Sequence, residues 1–219
     1  MYEYLKSLLR AEGPIAYQSK KKEILQNIYP NKRYSFGEKN KNKKFYVIKR
    51  NYNFNGLFSN LIFVIDHIKY AKQKNMIPVV DMENFVTAYN ERHKVNKTLN
   101  AWNYYFKNIS NYKLSDIYKS KNVYFSEDKR INTKEIYQDK SLIKVFNKFV
   151  KINPIHLKHF SILKKKYFKN KKKILGIHVV GTLEKIVRRH SLPPRPEDIL
   201  KISVEIFKKE KCTNVFLVT

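Results

Sequence analysis

Apolar residues in this chain fall into a few short runs and helical faces separated by polar, lysine-rich stretches. The first strand-like run is Phe45-Tyr46-Val47-Ile48, and the Asn- and Gly-containing stretch from Asn51 to Gly56 predicts a turn after it. From Leu57 to Lys74, apolar residues at 58, 61, 62, 65 and 68 share one helical face, with Asp66, Lys69 and Lys72 away from its centre. Asn75 closes that helix. Ile77-Pro78-Val79-Val80-Asp81 then reads as a buried strand whose carboxyl end presents Asp81, Glu83 and Asn84. Strand, loop, helix and strand make one βαβ unit, right-handed by the general rule for such crossovers.

The middle of the chain predicts a helix over Thr98 to Asn108 carrying Trp102, Tyr105 and Phe106, and a strand over Asn122 to Ser126. A helix over Ser141 to Ile152 is stopped by Asn153-Pro154, and a basic helix runs from His156 to Phe168. A second βαβ unit then begins: the apolar Ile174-Leu175-Gly176-Ile177, a basic proline-rich loop, a helix from about Pro196 and the run Val215-Phe216-Leu217-Val218. Met1 to Leu9 predicts a short amphipathic helix, ended by Gly13-Pro14. These elements define an α/β chain divided into an N-terminal helix and basic linker over 1–43, a Rossmann-like domain over 44–165, and the start of a second domain over 166–219.

Composition changes this picture little. With 42% hydrophobic residues, including 16 Tyr and 14 Phe, the 219-residue chain has the material for a core and is not a disordered tail. Its net charge of +28 ordinarily suggests a polyanionic partner. The excess is mostly lysine, however, in a chain also rich in Asn, Ile, Tyr and Phe, the pattern of a coding bias toward A and T. Runs such as Lys20-Lys21-Lys22 and Lys171-Lys172-Lys173 read as solvated, so nucleic acid is not an expected partner. The single cysteine, Cys212, excludes an internal disulfide and reads as a small buried hydrophobe. No run approaches the roughly 20 apolar residues of a spanning helix, so the expected location is cytoplasmic, with peripheral membrane contact through Met1 to Arg10 compatible with it.

Two segments carry candidate chemistry. Gly56-Leu57-Phe58-Ser59-Asn60 stands between a strand and a helix, where backbone amides can meet phosphate or sugar oxygens, or where Ser59 or Asn60 simply caps the helix. His178-Val179-Val180-Gly181-Thr182 follows the second domain's first strand. There His178 can donate to a diphosphate, Gly181 and Thr182 offer a close backbone approach and a hydroxyl, and Lys185, Arg188, Arg189 and His190 follow within reach of a phosphate or as a solvated loop. Pro196-Glu197-Asp198 opens a helix well, with acids near its positive end.

Taken together, Gly56 to Asn60, Ile77 to Asn84, Asn100 to Phe106, Gly176 to Thr182 and Pro193 to Ile199 resemble bacterial glycosyltransferases of the fucosyltransferase superfamily. The resemblance covers most of Lys44 to Thr219. It implies a GT-B arrangement of two Rossmann-like domains, a GDP-sugar donor as co-substrate with no metal or other cofactor, and a glycan or lipid-linked glycan acceptor in surface polysaccharide synthesis. Gly56, Asn60, His178, Gly181, Thr182, Arg188 and Arg189 then become donor-binding candidates, Asn84 and Trp102 acceptor-binding candidates, and Asp81 and Glu83 candidate general bases for the acceptor hydroxyl.

The chain departs from the family pattern after His178. Val180 stands where the family has an arginine that neutralises the donor diphosphate, and Leu183 stands at an aspartate position. Losing such a transition-state contact typically costs on the order of 100- to 1,000-fold in rate. The family also continues beyond the position matched by Thr219, so an impaired enzyme or a fragment truncated in the donor domain is expected. The competing reading is a non-enzymatic basic protein that binds RNA or anionic lipid, carried by the charge and by aromatics such as Tyr104, Tyr105 and Phe106.

Overall fold

The computed structural model describes residue 25 and residues 28–50, 56–131, 139–169, 173–179 and 194–218. The expected helix over Met1 to Leu9 and most of the Asn51 to Gly56 turn lie outside the described residues. The chain divides into two compact units, Met1–Leu157 and Lys158–Thr219. Both are mixed α/β, each with a small parallel sheet.

In the N-terminal unit the described elements are β1 (Phe45–Ile48), α1 (Leu57–Gln73), β2 (Ile77–Val80), α2 (Ala101–Tyr105), α3 (Leu114–Ile117), β3 (Val123–Phe125) and α4 (Lys140–Phe149). The sheet order is β2-β1-β3, all parallel, with Val47 opposite both Val79 and Phe125. β1 is central, and all four of its residues are buried because both faces of the sheet are covered. Alternation along the strand sends Tyr46 and Ile48 into one core with Phe63, Val64 and Ile68 of α1, and Phe45 and Val47 into another with Ile117, Val123 and Phe125. Pro78, which cannot donate a ladder hydrogen bond, is accommodated because β2 is at the sheet edge.

The expected face of α1 needs correcting. Phe58 is 73% exposed, whereas Asp66 and His67, at 2% and 0%, are buried. The segment after β3 covers that side of the helix. The Ile131 N–H donates to Asp66 Oδ2 at 2.8 Å, and the Lys129 carbonyl lies 3.1 Å from His67 Nε2. On another side, Lys69 donates to Asp139 Oδ2 at 2.7 Å. Asp139 also caps α4 by accepting from the Ser141 N–H, and the Lys69 ammonium and Ser141 together hold its carboxyl below the usual range.

The end of α1 is where the sequence places it. Asn75 takes the left-handed conformation at φ 54°, Met76 N–H returns to the Ala71 carbonyl at 2.8 Å and Asn75 N–H to that of Lys72 at 3.1 Å. These are the paired bonds of a Schellman stop with asparagine in the usual glycine position.

The boundary between the units falls inside α5 (Pro154–Phe168), where the sequence reading places it at 165/166. The C-terminal unit continues with β4 (Ile174–His178), α6 (Pro196–Lys209) and β5 (Asn214–Val218). β4 and β5 pair in parallel, with Gly176 opposite Phe216. Pro196 occupies the first turn of α6 beside Glu197 and Asp198, and Arg195 donates to both Asp198 oxygens at 2.9 and 3.1 Å. Phe216 and Leu217 of β5 are 46% and 56% exposed, so neither face of this two-stranded sheet is fully covered. Cys212, expected to be buried, is half-buried. Among the described residues no helix is long and apolar enough to cross a membrane.

Candidate functional site

In an open parallel sheet a ligand crevice forms outside the carboxyl ends of the strands, where the strand order reverses. With order β2-β1-β3, that point lies at the end of β1. Around it stand the first turn of α1, the turn after β2 and the segment after β3.

The first turn of α1 is built differently from expectation. Gly56 is the N-cap, but with φ −62° and ψ 162° it uses none of glycine's conformational freedom. A Cβ there would meet only the Tyr89 hydroxyl, at 3.9 Å. No side chain of the helix caps it, so Ser59 and Asn60 do not serve as caps. Instead the Tyr89 hydroxyl, from the loop after β2, accepts from the Leu57 N–H at 2.7 Å. Asn60 is buried one turn in, facing a pocket it shares with Met82, Thr87, Tyr89, Trp102 and Tyr105. The structure thus brings together Asn60 and Trp102, assigned by the resemblance to donor and acceptor. The pocket is narrow: its interior of about 10 Å³ has room for one water.

The turn after β2 is laced by asparagines. Asn100 caps α2 by accepting from Trp102 N–H at 3.3 Å, accepts from Met82 N–H at 3.2 Å, and donates to the Val80 carbonyl at 2.8 Å. Asn90 donates to the Leu99 carbonyl at 3.1 Å and accepts from Thr87 N–H at 2.7 Å. These bonds hold the loop from residue 81 to residue 100 against the end of β2.

Asp81 is a correction. It is completely buried, and its Oδ1 accepts from the backbone N–H groups of Glu83 at 3.1 Å and Asn84 at 2.8 Å. Its Oδ2 accepts from Asn84 Nδ2 at 2.7 Å and from the Tyr118 hydroxyl. With two bonds on each oxygen the carboxylate has no lone pair left for a substrate hydroxyl, so Asp81 fastens the turn and is not the general base. Burial, and then the charge of Asp81, push the Tyr118 phenol well above its ordinary value, so it stays a donor. Asn84 is buried beside Asp81, with its amide NH₂ directed there. Glu83 is half-buried.

Trp102 is also corrected. At 3% exposure it offers no open ring face for an acceptor sugar; its indole N–H donates to the Lys107 carbonyl at 3.0 Å and its ring packs 4.6 Å from that of Phe106. The half-buried rings at the pocket are Tyr89 and Tyr105. Sequence reasoning named Tyr105 as a contact only for the competing RNA-binding reading and did not single out Tyr89, because a tyrosine in a loop carries no signal of what it faces.

In the C-terminal unit, His178 ends β4 opposite Val218 and is exposed. Gly181, Thr182, Arg188 and Arg189, with Val180 and Leu183, lie outside the described residues. Among the described residues no group of His, Cys, Asp and Glu side chains is arranged to hold a metal ion.

Compared with family models, curated proteins and solved structures, the chain matches none. The class its fold defines is therefore a mixed α/β protein with small parallel sheets.

Proposed function

We propose that the chain is a cytoplasmic glycosyltransferase-like protein of GT-B type that takes a sugar from a GDP-sugar to a glycan or lipid-linked glycan acceptor. The observation that supports this reading is the repeated parallel arrangement. β1–α1–β2 and β4–α6–β5 each begin with a strand whose carboxyl end carries residues of the resemblance: Gly56 to Asn60 after β1, and His178 at the end of β4.

In this reaction an acceptor hydroxyl attacks the anomeric carbon, GDP leaves, and a carboxylate takes the hydroxyl proton. With Asp81 fully engaged, Glu83 is the base on this reading. His178, Gly181, Thr182, Arg188 and Arg189 hold the diphosphate, and Val180 in place of an arginine leaves that hold weak. Activity is accordingly impaired relative to a family member with the full motif.

Calorimetric titration with GDP, a GDP-sugar, UDP and ADP tests the reading. Preferential binding of the two guanine ligands supports it. Equal or absent binding of all four overturns the donor assignment, and tight, strongly salt-dependent binding of RNA in parallel would favour a basic binder instead.

A further inference from the structure

Two arginines at the carboxyl end of the sheet carry more donors than the described residues satisfy. Arg50 follows β1, and its guanidinium carbon lies 4.4 Å from the centre of the Phe63 ring. Arg130 follows β3, and its Nε lies 3.7 Å from Asp66 Oδ2, an ion-pair distance too long for a hydrogen bond. Arg50 Nε, Arg130 Nε and Arg130 Nη2 are buried atoms with no hydrogen-bond partner among the described residues. An unsatisfied buried donor is destabilising, and more so when charged.

The two side chains border the same stretch of α1. Phe63, under Arg50, and Asp66, beside Arg130, are three residues apart and so neighbours on the helix surface. Between these contacts the His67 ring lies 4.3 Å from that of Phe63, with its Nε2 3.1 Å from the Lys129 carbonyl. The nearby acids face these arginines without hydrogen-bonding the orphaned atoms: Asp66 Oδ2, the ion-pair partner of Arg130, accepts from Ile131 N–H at 2.8 Å, and Asp128, whose charge acts on Arg50, holds the Lys49 ammonium at 3.0 Å. Arg50 remains half-buried and the Arg130 side chain 28% exposed, so each side chain is only partly desolvated.

We propose that Arg50 and Arg130 form an oxyanion site at the switch point of the N-terminal unit, binding a phosphoryl or carboxylate group of a ligand. Planar guanidiniums suit the paired oxygens of such groups, and an aromatic ring behind one of them fixes its plane. The site stands on the geometry of the N-terminal unit alone and does not rest on the glycosyl-transfer reading.

The test is titration of the full chain with pyrophosphate, inorganic phosphate and citrate, followed by calorimetry, with Arg50→Gln, Arg130→Gln and the exposed-lysine control Lys94→Gln. Each arginine variant is expected to weaken the preferred anion about tenfold or more, since a charge-assisted bidentate contact is lost. The control, which removes the same charge, is expected to stay within about twofold. The ranking of the three anions distinguishes a diphosphate, a monophosphate and a carboxylate source. Equal weakening in all three variants, or no binding of any anion, overturns the site. If an arginine variant fails to fold, the arginine Nε–H resonances of the unmodified protein decide: two should shift on titration, and none shifting rejects the proposal. Anion binding lost in the arginine variants without any guanine preference would leave this site standing and the donor assignment overturned.

Discussion

The Tyr46 hydroxyl lies 2.9 Å from Nδ1 of His67, joining the central strand to the middle of α1 inside the core. His67 Nε2 is 3.1 Å from the Lys129 carbonyl, which can only accept. Nε2 therefore carries the proton, Nδ1 accepts from Tyr46, and the imidazole is neutral with both nitrogens satisfied.

Burial pushes the His67 imidazole down to about 4, against an ordinary 6.5. Below pH 6.5 the unfolded chain binds a proton there that the folded chain refuses, so stability falls as pH drops from about 6.5 to about 4. A shift of that size corresponds to roughly 3 kcal/mol across the window. Urea denaturation at pH 7, 6, 5 and 4 measures it. His67→Gln should lower stability at pH 7 but flatten the slope between pH 6.5 and 4; an unchanged slope would assign the acid sensitivity to other groups.

Asp81 and Glu83 separate structure from chemistry. Asp81→Ala leaves the Tyr118 hydroxyl and two backbone N–H groups without their acceptor, and should cost about 3 kcal/mol or more. Glu83→Gln should change stability by less than about 0.5 kcal/mol, because the residue is half-buried and its backbone bond to Asp81 is kept. If glycosyl transfer is detected, Glu83→Gln should lower it by on the order of 100-fold, the ordinary worth of a general base. Parallel denaturation curves and turnover measurements check both halves.

The two phenylalanines of α1 should behave oppositely. Phe63→Ala empties a fully buried core position against the His67 ring, with an expected loss of about 3–5 kcal/mol. Phe58→Ser, at a position 73% exposed, should stay within about 0.5 kcal/mol. Thermal melts distinguish them, and a large loss at Phe58 would place the core on the face inferred from periodicity.

Local chemistry made most elements legible. The apolar run at β1, the asparagine stop at Asn75 and the proline-acid start of α6 each depend on residues within a few positions of one another, and the structure has them where the sequence indicates. The middle helix came out shorter than expected, Ala101–Tyr105 against Thr98 to Asn108, because Asn100 uses its side chain to cap it and bind the β2 end. The candidate site was less legible. The turn carboxylate at Asp81 was readable as a cap, but the Tyr118 that fills its last acceptor position lies 37 residues away.

The order of strands and helices, the breaks between them and the parallel character of each βαβ unit follow from side-chain periodicity and backbone preference, which act over one or two turns. Which polar residues are buried, and that both oxygens of Asp81 are fully engaged, were decided by packing between distant segments. Asp66 and His67 are polar on any sequence pattern. They are buried because the chain after β3 returns across α1 and supplies the hydrogen bonds that make desolvating them tolerable.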